Sequence, residues 1–229
     1  MAAMTALTTL CPPPGPTTDI RWETVEATLG MPLPQDYKEL AGRYGPGVFN
    51  GFVHVYHPHG ATEYADLTGP MPGRIRAQLS KDRAQGTHPV PYDPETLFAC
   101  AVTDNGEYLF WITDPAGDPD RWRIAVNQAR GPDWFTYDGT LTAFLTAVLG
   151  GRIEVPLFPA SLGGTPAGFA PAHPVPRQPG ALPGPLPGHR PVDTGSIRSW
   201  ARARGYDVPP RGRVPLEVRE AWERRSPKG

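Results

Sequence analysis

The feature that most constrains this chain is a proline- and glycine-rich stretch that divides it. Residues 156–195 hold eleven prolines and seven glycines in forty positions, with PVPRQPGALPGPLPGHRP at the centre. With few aliphatic residues, such a stretch cannot bury enough apolar surface to offset its ordering entropy. The sequence therefore predicts a disordered Pro/Gly-rich linker at residues 156–192, with polyproline II character. A proline-rich ligand for an aromatic groove on a partner is the functional alternative.

Charge is distributed unevenly on the two sides of this linker. The 229-residue chain has a formal net charge of -1, but residues 190–229 contain ten basic and five acidic residues, a net charge of +5. Residues 1–189 contain twelve basic and eighteen acidic residues, a net charge of -6. An acidic body followed by a basic tail favours a polyanionic partner for the tail. A solvated, arginine-rich surface is the structural alternative.

Cysteine usage and hydropathy are typical of a reduced, soluble, cytoplasmic protein. Two cysteines, Cys11 and Cys100, are too few for a disulfide framework or a metal quartet. The opening MAAMTALTTLC has no positively charged start and places Leu10 before Cys11, unlike a lipoprotein signal. We expect residues 1–19 to be a flexible N-terminus. No apolar run approaches the ~18 residues that a membrane helix needs, so no membrane partner is expected.

The body, residues 20–155, combines helical and strand patterns. Helices are predicted in IRWETVEATLG, LPQDYKELAGRYG and TLTAFLTAVLGG. Strands are predicted in FVHVY, LFACAVT, EYLFWIT, WRIAVN and WFTY, which are rich in β-branched and aromatic residues. The sequence Thr103-Asp104-Asn105-Gly106 predicts a hairpin with a type I′ turn. Helices, a mainly antiparallel sheet and a closing helix together indicate an α+β fold.

These motifs resemble those of a known superfamily. The order W-x2-V-E-x3-G, LPQDYKEL, YGPGVFNGF, DNGEYLFW, DPDRWRIAVNQAR and TLTAFLTAVLGGRIEVPLFP is similar to the SUKH superfamily over residues 20–159. That fold is shared by yeast cell-wall regulators and many bacterial immunity proteins. The resemblance implies a protein-binding α+β scaffold without catalysis, with an unknown protein partner held by residues 20–155.

Candidate catalytic and metal-ligating residues are few in the body. His54, His57 and His59 in HVYHPH resemble a metal set, but strand alternation and Pro58 separate them, so surface or edge histidines are expected. The loop GPGVFNG lacks the Lys-Ser/Thr of a phosphate loop, and no nucleophile-elbow, H-E-x-x-H or deaminase signature occurs. The sequence therefore predicts no enzyme, no metal and no cofactor. The aromatic residues expected in the core are Phe110, Trp111, Trp122 and Trp134.

The final segment, residues 193–229, predicts two short helices joined by a loop. Thr194 or Ser196 can cap the first helix, which ends at Gly205 after a basic last turn. The second helix begins at Pro215, and the two helices bury Trp200 against Trp222. A unit of about forty residues is near the lower size limit for a core of its own, so marginal stability is expected.

The loop between these helices carries an Arg-Gly-Arg sequence that suits the DNA minor groove. Gly212 lacks a Cβ, so the backbone can approach a groove about 6 Å wide while Arg211 and Arg213 spread along its floor. A·T-rich grooves are narrow, have a stronger negative potential and lack the guanine 2-amino group that would obstruct insertion. Candidates for phosphate contacts are Ser196, Arg198, Arg202, Arg204 and Arg219.

The same segment resembles a DNA-binding family. The pattern S-I-R-x-W-A-R-x-x-G-Y-x-V-x-x-R-G-R-V-P-x-E-V is similar to the DNA-binding domain of actinobacterial Lsr-type nucleoid-structuring proteins, functional counterparts of H-NS. The resemblance implies binding to A·T-rich double-stranded DNA, with Arg211, Gly212 and Arg213 inserted. Those proteins normally begin with a dimerising domain, and here a SUKH-like body and a linker stand in its place.

Two hypotheses from different classes follow. The leading one is a non-enzymatic, nucleoid-associated DNA-binding regulator whose body holds a protein partner or self-associates. The alternative is a SUKH-type immunity or interaction protein that binds a toxin or another partner. In that case the basic tail is secondary, contacting DNA incidentally or holding the acidic body in cis.

Overall fold

The computed structural model describes residues 2–164, 166–172, 200–202 and 204–206. The chain divides after Val175 into two units, and residues 200–202, in the second unit, are helical. Within these described ranges, no helix has the length and apolar character required to cross a membrane.

One antiparallel sheet with five α-helices makes up the described part of the first unit. The helices are α1 (Ala2–Leu10), α2 (Trp22–Leu29), α3 (Gln35–Tyr44), α4 (Met71–Gln85) and α5 (Leu141–Leu149). The strands are β1 (Gly47–Phe49), β2 (Val53–Val55), β3 (Leu97–Thr103), β4 (Tyr108–Ile112), β5 (Arg123–Asn127), β6 (Trp134–Tyr137) and β7 (Phe169–Pro171). They lie in the order β6-β5-β4-β3-β2-β1-β7. The predicted α+β class is confirmed.

Both faces of this sheet are covered. Phe110 and Trp111 are neighbours along β4, so their side chains point to opposite faces, yet each is only 1% exposed. Trp111 packs edge-on against Tyr37 of α3, with ring centroids 4.9 Å apart. Phe110 lies 5.6 Å from the ring of Trp134 in β6. The core positions predicted for Phe110, Trp111 and Trp122 are confirmed, whereas Trp134 is only partly buried.

The N-terminus is a core element, so the expectation of a flexible segment is wrong. Met4, Leu7 and Cys11 are buried in the core, because their spacing places them on one face of α1. Helix α1 contacts α5, where the Thr146 hydroxyl donates to the Ala3 carbonyl at 3.3 Å. The Tyr44 hydroxyl donates to the Cys11 carbonyl at 2.5 Å. The mildly apolar opening residues are therefore part of the body.

The body also extends past the predicted start of the linker at residue 156. Phe158 and Leu162 are buried, and β7 pairs with β1 in antiparallel register. The ring centroids of Phe169 and Phe49 are 4.9 Å apart. A Cβ added at Gly47 would lie 2.3 Å from the Phe169 ring. Burial of these aromatic residues offsets the ordering cost that the Pro/Gly composition suggests. The boundary at 156 is wrong, and the rest of the predicted linker, residues 173–192, lies outside the described residues.

Two Asn-Gly pairs lie at turns, Asn50-Gly51 and Asn105-Gly106. The pair with two positive φ angles is Asn50-Gly51, whereas the sequence predicted Asn105-Gly106. In the β3–β4 turn, Thr103–Gly106, only Gly106 has a positive φ, +96°, so the predicted type I′ turn is wrong because that type needs two. In the β1–β2 turn, Asn50 and Gly51 have φ values of 48° and 61°. The predicted glycine-rich loop GPGVFNG thus contains strand β1 and a turn with two positive φ angles.

His57 is a buried core residue, which corrects the expectation of a surface or edge histidine. Only 2% of the His57 surface is exposed to solvent. Its Nε2 lies 3.3 Å from the Ala41 carbonyl oxygen, and its Nδ1 accepts from the His59 N–H at 2.9 Å. This pattern fits a neutral ring with its proton on Nε2. Burial lowers the pKa of His57 to about 4.

The lowered pKa of His57 should make stability depend on pH below neutrality. In the unfolded chain, the pKa of a histidine is near 6.5. Between about pH 6.5 and 4 the unfolded state therefore binds more protons than the folded state, so the free energy of unfolding decreases as the pH falls. We expect the wild type to lose about 2 kcal/mol more unfolding free energy than His57→Gln between pH 7 and pH 5. Urea denaturation at both pH values measures this, with His88→Gln as an exposed-site control. Equal losses in wild type and His57→Gln would contradict the assignment.

Candidate nucleic-acid interface

The described part of the second unit is the end of a helix and the turn that follows it. Gly205 has a left-handed φ of +81°. Its N–H donates to the Arg202 carbonyl at 3.1 Å, and the N–H of Tyr206 donates to the Ala201 carbonyl at 3.0 Å. Two such bonds around a left-handed glycine are the Schellman arrangement that ends helices. The predicted helix end at Gly205 is confirmed.

Arg204 and Tyr206 each contact the Trp200 ring beside this turn. The rings of Trp200 and Tyr206 are nearly parallel, at 20°, with centroids 5.8 Å apart. The guanidinium carbon of Arg204 lies 5.1 Å from the centroid of the Trp200 ring, within cation–π range. Tyr206 follows the helix and lies back against it, so the stack fixes the direction in which the chain leaves the helix.

Sequence reasoning missed this ring partner. It paired Trp200 with Trp222, which lies outside the described residues. The signal available was the spacing W-x3-R-x-Y, which brings Tyr206 back towards Trp200 once Gly205 adopts a left-handed conformation.

Two of the five phosphate candidates can be placed. Arg202 and Arg204 are exposed, and neither forms an ion pair with another described residue. Arg204 is oriented by the Trp200 ring, whereas no ring of a described residue contacts Arg202. Both lie at a helix C-terminus, where positive charge also stabilises the helix dipole, so a structural role accompanies any phosphate contact. Outside the described residues lie Ser196, Arg198, Arg219 and the loop residues Arg211, Gly212 and Arg213.

Comparison with known proteins connects this geometry to a family. The Lsr2 DNA-binding domain matches residues 189–224. We call these residues the Lsr2-like segment; it contains the helix end described above and all of the predicted DNA-contacting residues. The match supports a DNA-binding, nucleoid-associated role, with DNA as a partner. No curated protein and no solved structure matches the chain. The SUKH resemblance of residues 20–159 stays a prediction.

The left-handed turn predicts the effect of substituting Gly205. A Cβ there would meet no atom of a described residue within 4 Å, and Gly205→Ala is disfavoured by its φ of +81°. We expect a cost of about 1 kcal/mol, enough to weaken DNA binding by roughly fivefold if the Lsr2-like segment is marginally stable. Fluorescence anisotropy with a labelled A·T-rich duplex measures this.

The matched control is Gly205→Asn, because asparagine tolerates left-handed conformations better than alanine. Its affinity should lie between those of the wild type and Gly205→Ala. An alanine variant that binds as tightly as the wild type would show that the helix end does not limit DNA binding.

Proposed function

We propose that this chain is a non-enzymatic, silencer-like DNA-binding regulator that inserts Arg211, Gly212 and Arg213 into the minor groove of A·T-rich DNA. The observation that carries the proposal is the match of the Lsr2 DNA-binding domain to residues 189–224, which contain this tripeptide. The net charge of +5 on residues 190–229 supports it, because counterion release from phosphates drives DNA binding.

In this mechanism, different arginines provide specificity and affinity. The two arginines read groove width and the missing guanine amino group, so they prefer A·T content over a defined base sequence. Arg202 and Arg204, exposed at the helix end, supply phosphate contacts without sequence information. The Trp200 stack supports this role for Arg204, since a guanidinium held against a ring loses less freedom on binding.

The body is proposed to be a SUKH-like scaffold for a protein partner or for self-association. Its α+β architecture and the motif order of residues 20–159 support this. One small DNA-binding module should bind weakly alone, at about micromolar dissociation constants at physiological salt. A body that joins two or more such modules would raise their effective concentration on DNA and so their occupancy.

The second candidate function is a SUKH-type immunity or interaction protein. The net charge of -6 on residues 1–189 favours it, since an acidic body suits a basic protein partner better than DNA. Capture of a toxin encoded by an adjacent gene, through residues 20–155 and not through the tail, would reverse the ranking of the two proposals.

The proposed insertion predicts the effect of removing one arginine. Arg213→Ala should lower affinity for an A·T-rich duplex by about 5- to 150-fold, equivalent to about 1–3 kcal/mol, and should reduce the preference over a G·C-rich duplex. The control is Arg152→Ala, which removes the same charge from an exposed position of the first unit. Electrophoretic shifts and anisotropy at fixed salt measure both. Equal affinity of Arg213→Ala and the wild type would remove the mechanism.

A further inference from the structure

An open groove in the first unit brings a buried carboxylate next to apolar side chains. It has a volume of about 420 Å³ and lies between the β3–β4 turn, the β5–β6 connection and residues 156–157. Its acidic lining residues are Glu107 and Asp133, and its apolar lining includes Phe135, Pro156 and Leu157. The minor-groove mechanism uses none of these residues.

Glu107 is the unusual member of this set. It is only 6% exposed. One carboxylate oxygen, Oε2, accepts from the Thr103 hydroxyl, which itself accepts from the Glu107 N–H at 3.1 Å. No donor among the described residues contacts the other oxygen, Oε1. A buried carboxylate is costly unless its acceptor sites are filled, so Glu107 is fixed in place and still has capacity for a donor.

Asp133 adds a second carboxylate at the groove. The β5–β6 connection is closed by two bonds: the Gln128 N–H donates to the Asp133 carbonyl at 2.8 Å, and the Asp133 N–H donates to Gln128 Oε1 at 3.3 Å. Asp133 is exposed and forms no ion pair with a described residue. The closed connection therefore fixes the backbone of Asp133 at the groove that Glu107 also lines.

The apolar walls fit a long side chain with a flat, charged end. Phe135 lies opposite Val126 of β5, and its side chain is on the face of β6 opposite to the Trp134 ring, which packs against Phe110. Phe135 and Leu157 are partly buried and can cover an aliphatic stem. An arginine guanidinium is planar, always charged, and stacks on aromatic rings better than a lysine ammonium does.

We propose that this groove docks an arginine side chain presented by a protein partner. The inference rests on the proposed protein-binding role of the body and does not depend on DNA binding. Two carboxylates would repel DNA phosphates, so the groove suits a protein surface and not a nucleic acid. It is also a poor cation site, because the described residues include no group of three or more side chains that could hold a metal ion.

The direct test titrates the full chain with Nα-acetyl-arginine amide and follows the ring resonances of Phe135 by NMR. The control probe is the amide of Nα-acetyl-citrulline, which has nearly the same shape but no charge. We expect saturable binding of the arginine probe, with citrulline at least about tenfold weaker. Equal binding of the two probes to the wild type, or no saturable shift with either probe, would overturn the proposal.

Variants then show which carboxylate binds the arginine probe. Glu107→Gln keeps an oxygen that can accept from Thr103, so it should remain folded and bind the arginine probe about tenfold more weakly. Asp133→Asn should weaken binding less, because its charge is exposed. Asp138→Asn, at an exposed position just after β6, is the control and should bind like the wild type. Wild-type binding by Glu107→Gln would overturn the proposal.

The same variants are titrated with an A·T-rich duplex to separate this inference from the proposed function. We expect Glu107→Gln to bind DNA like the wild type while it loses the arginine probe. Failure of the probe to bind, with DNA binding intact, would overturn the groove alone. Failure of the wild type to bind A·T-rich DNA would overturn the proposed function and leave the groove standing.

Discussion

Two neighbouring side chains on β4, Phe110 and Trp111, require the sheet to be covered on both faces. Each is almost fully buried although they point in opposite directions. Tyr37 of α3 covers Trp111, and Trp134 of β6 lies over Phe110 on the other side. Each large ring buries on the order of 150–250 Å² of surface, so an uncovered face would expose a large apolar area. Strand β7 forms one edge of this sheet, and the N-terminal helix α1 packs against α5.

The sequence predicted the elements whose composition matches their environment. Strands β3 to β6 are runs of β-branched and aromatic residues, and α2 and α3 end at Gly30 and Gly45, which have φ values of 69° and 68°. Helix α4 was not predicted, because it buries only Pro72, Ile75 and Leu79 along its fifteen residues and so has a short apolar stripe. Strand β7 was not predicted either, because its pairing with β1 is a tertiary contact hidden by a Pro/Gly-rich composition.

The candidate sites were predicted unevenly for the same reason. The end of the first tail helix follows from a local signal, the basic turn before Gly205, whereas the stacking of Tyr206 on Trp200 depends on the path taken after that turn. Burial of Glu107 leaves no trace in the sequence, because it is set by the β3–β4 turn and by the neighbouring β5–β6 connection. His57 was misassigned because its burial is a tertiary feature: its ring contacts the Ala41 carbonyl of α3, sixteen residues away in sequence.

Charge separates the proposed tasks of the two parts of the chain. The acidic body is unsuited to phosphates but suited to a basic protein surface, and the basic tail has the reverse preference. Binding DNA through the tail therefore leaves the body available for a protein. In this proposal, the Lsr2-like segment selects the DNA, and the body recruits a protein partner to it.

The central claim is that the tail reads the minor groove, and base-pair substitution tests it most directly. Inosine–cytosine pairs present a minor groove like that of A·T, without the guanine 2-amino group, but a major groove like that of G·C. The full chain should bind A·T-rich and inosine–cytosine duplexes with affinities within about threefold, and both at least about tenfold tighter than a G·C-rich duplex. Binding of the inosine–cytosine duplex as weak as that of the G·C-rich duplex would contradict minor-groove readout.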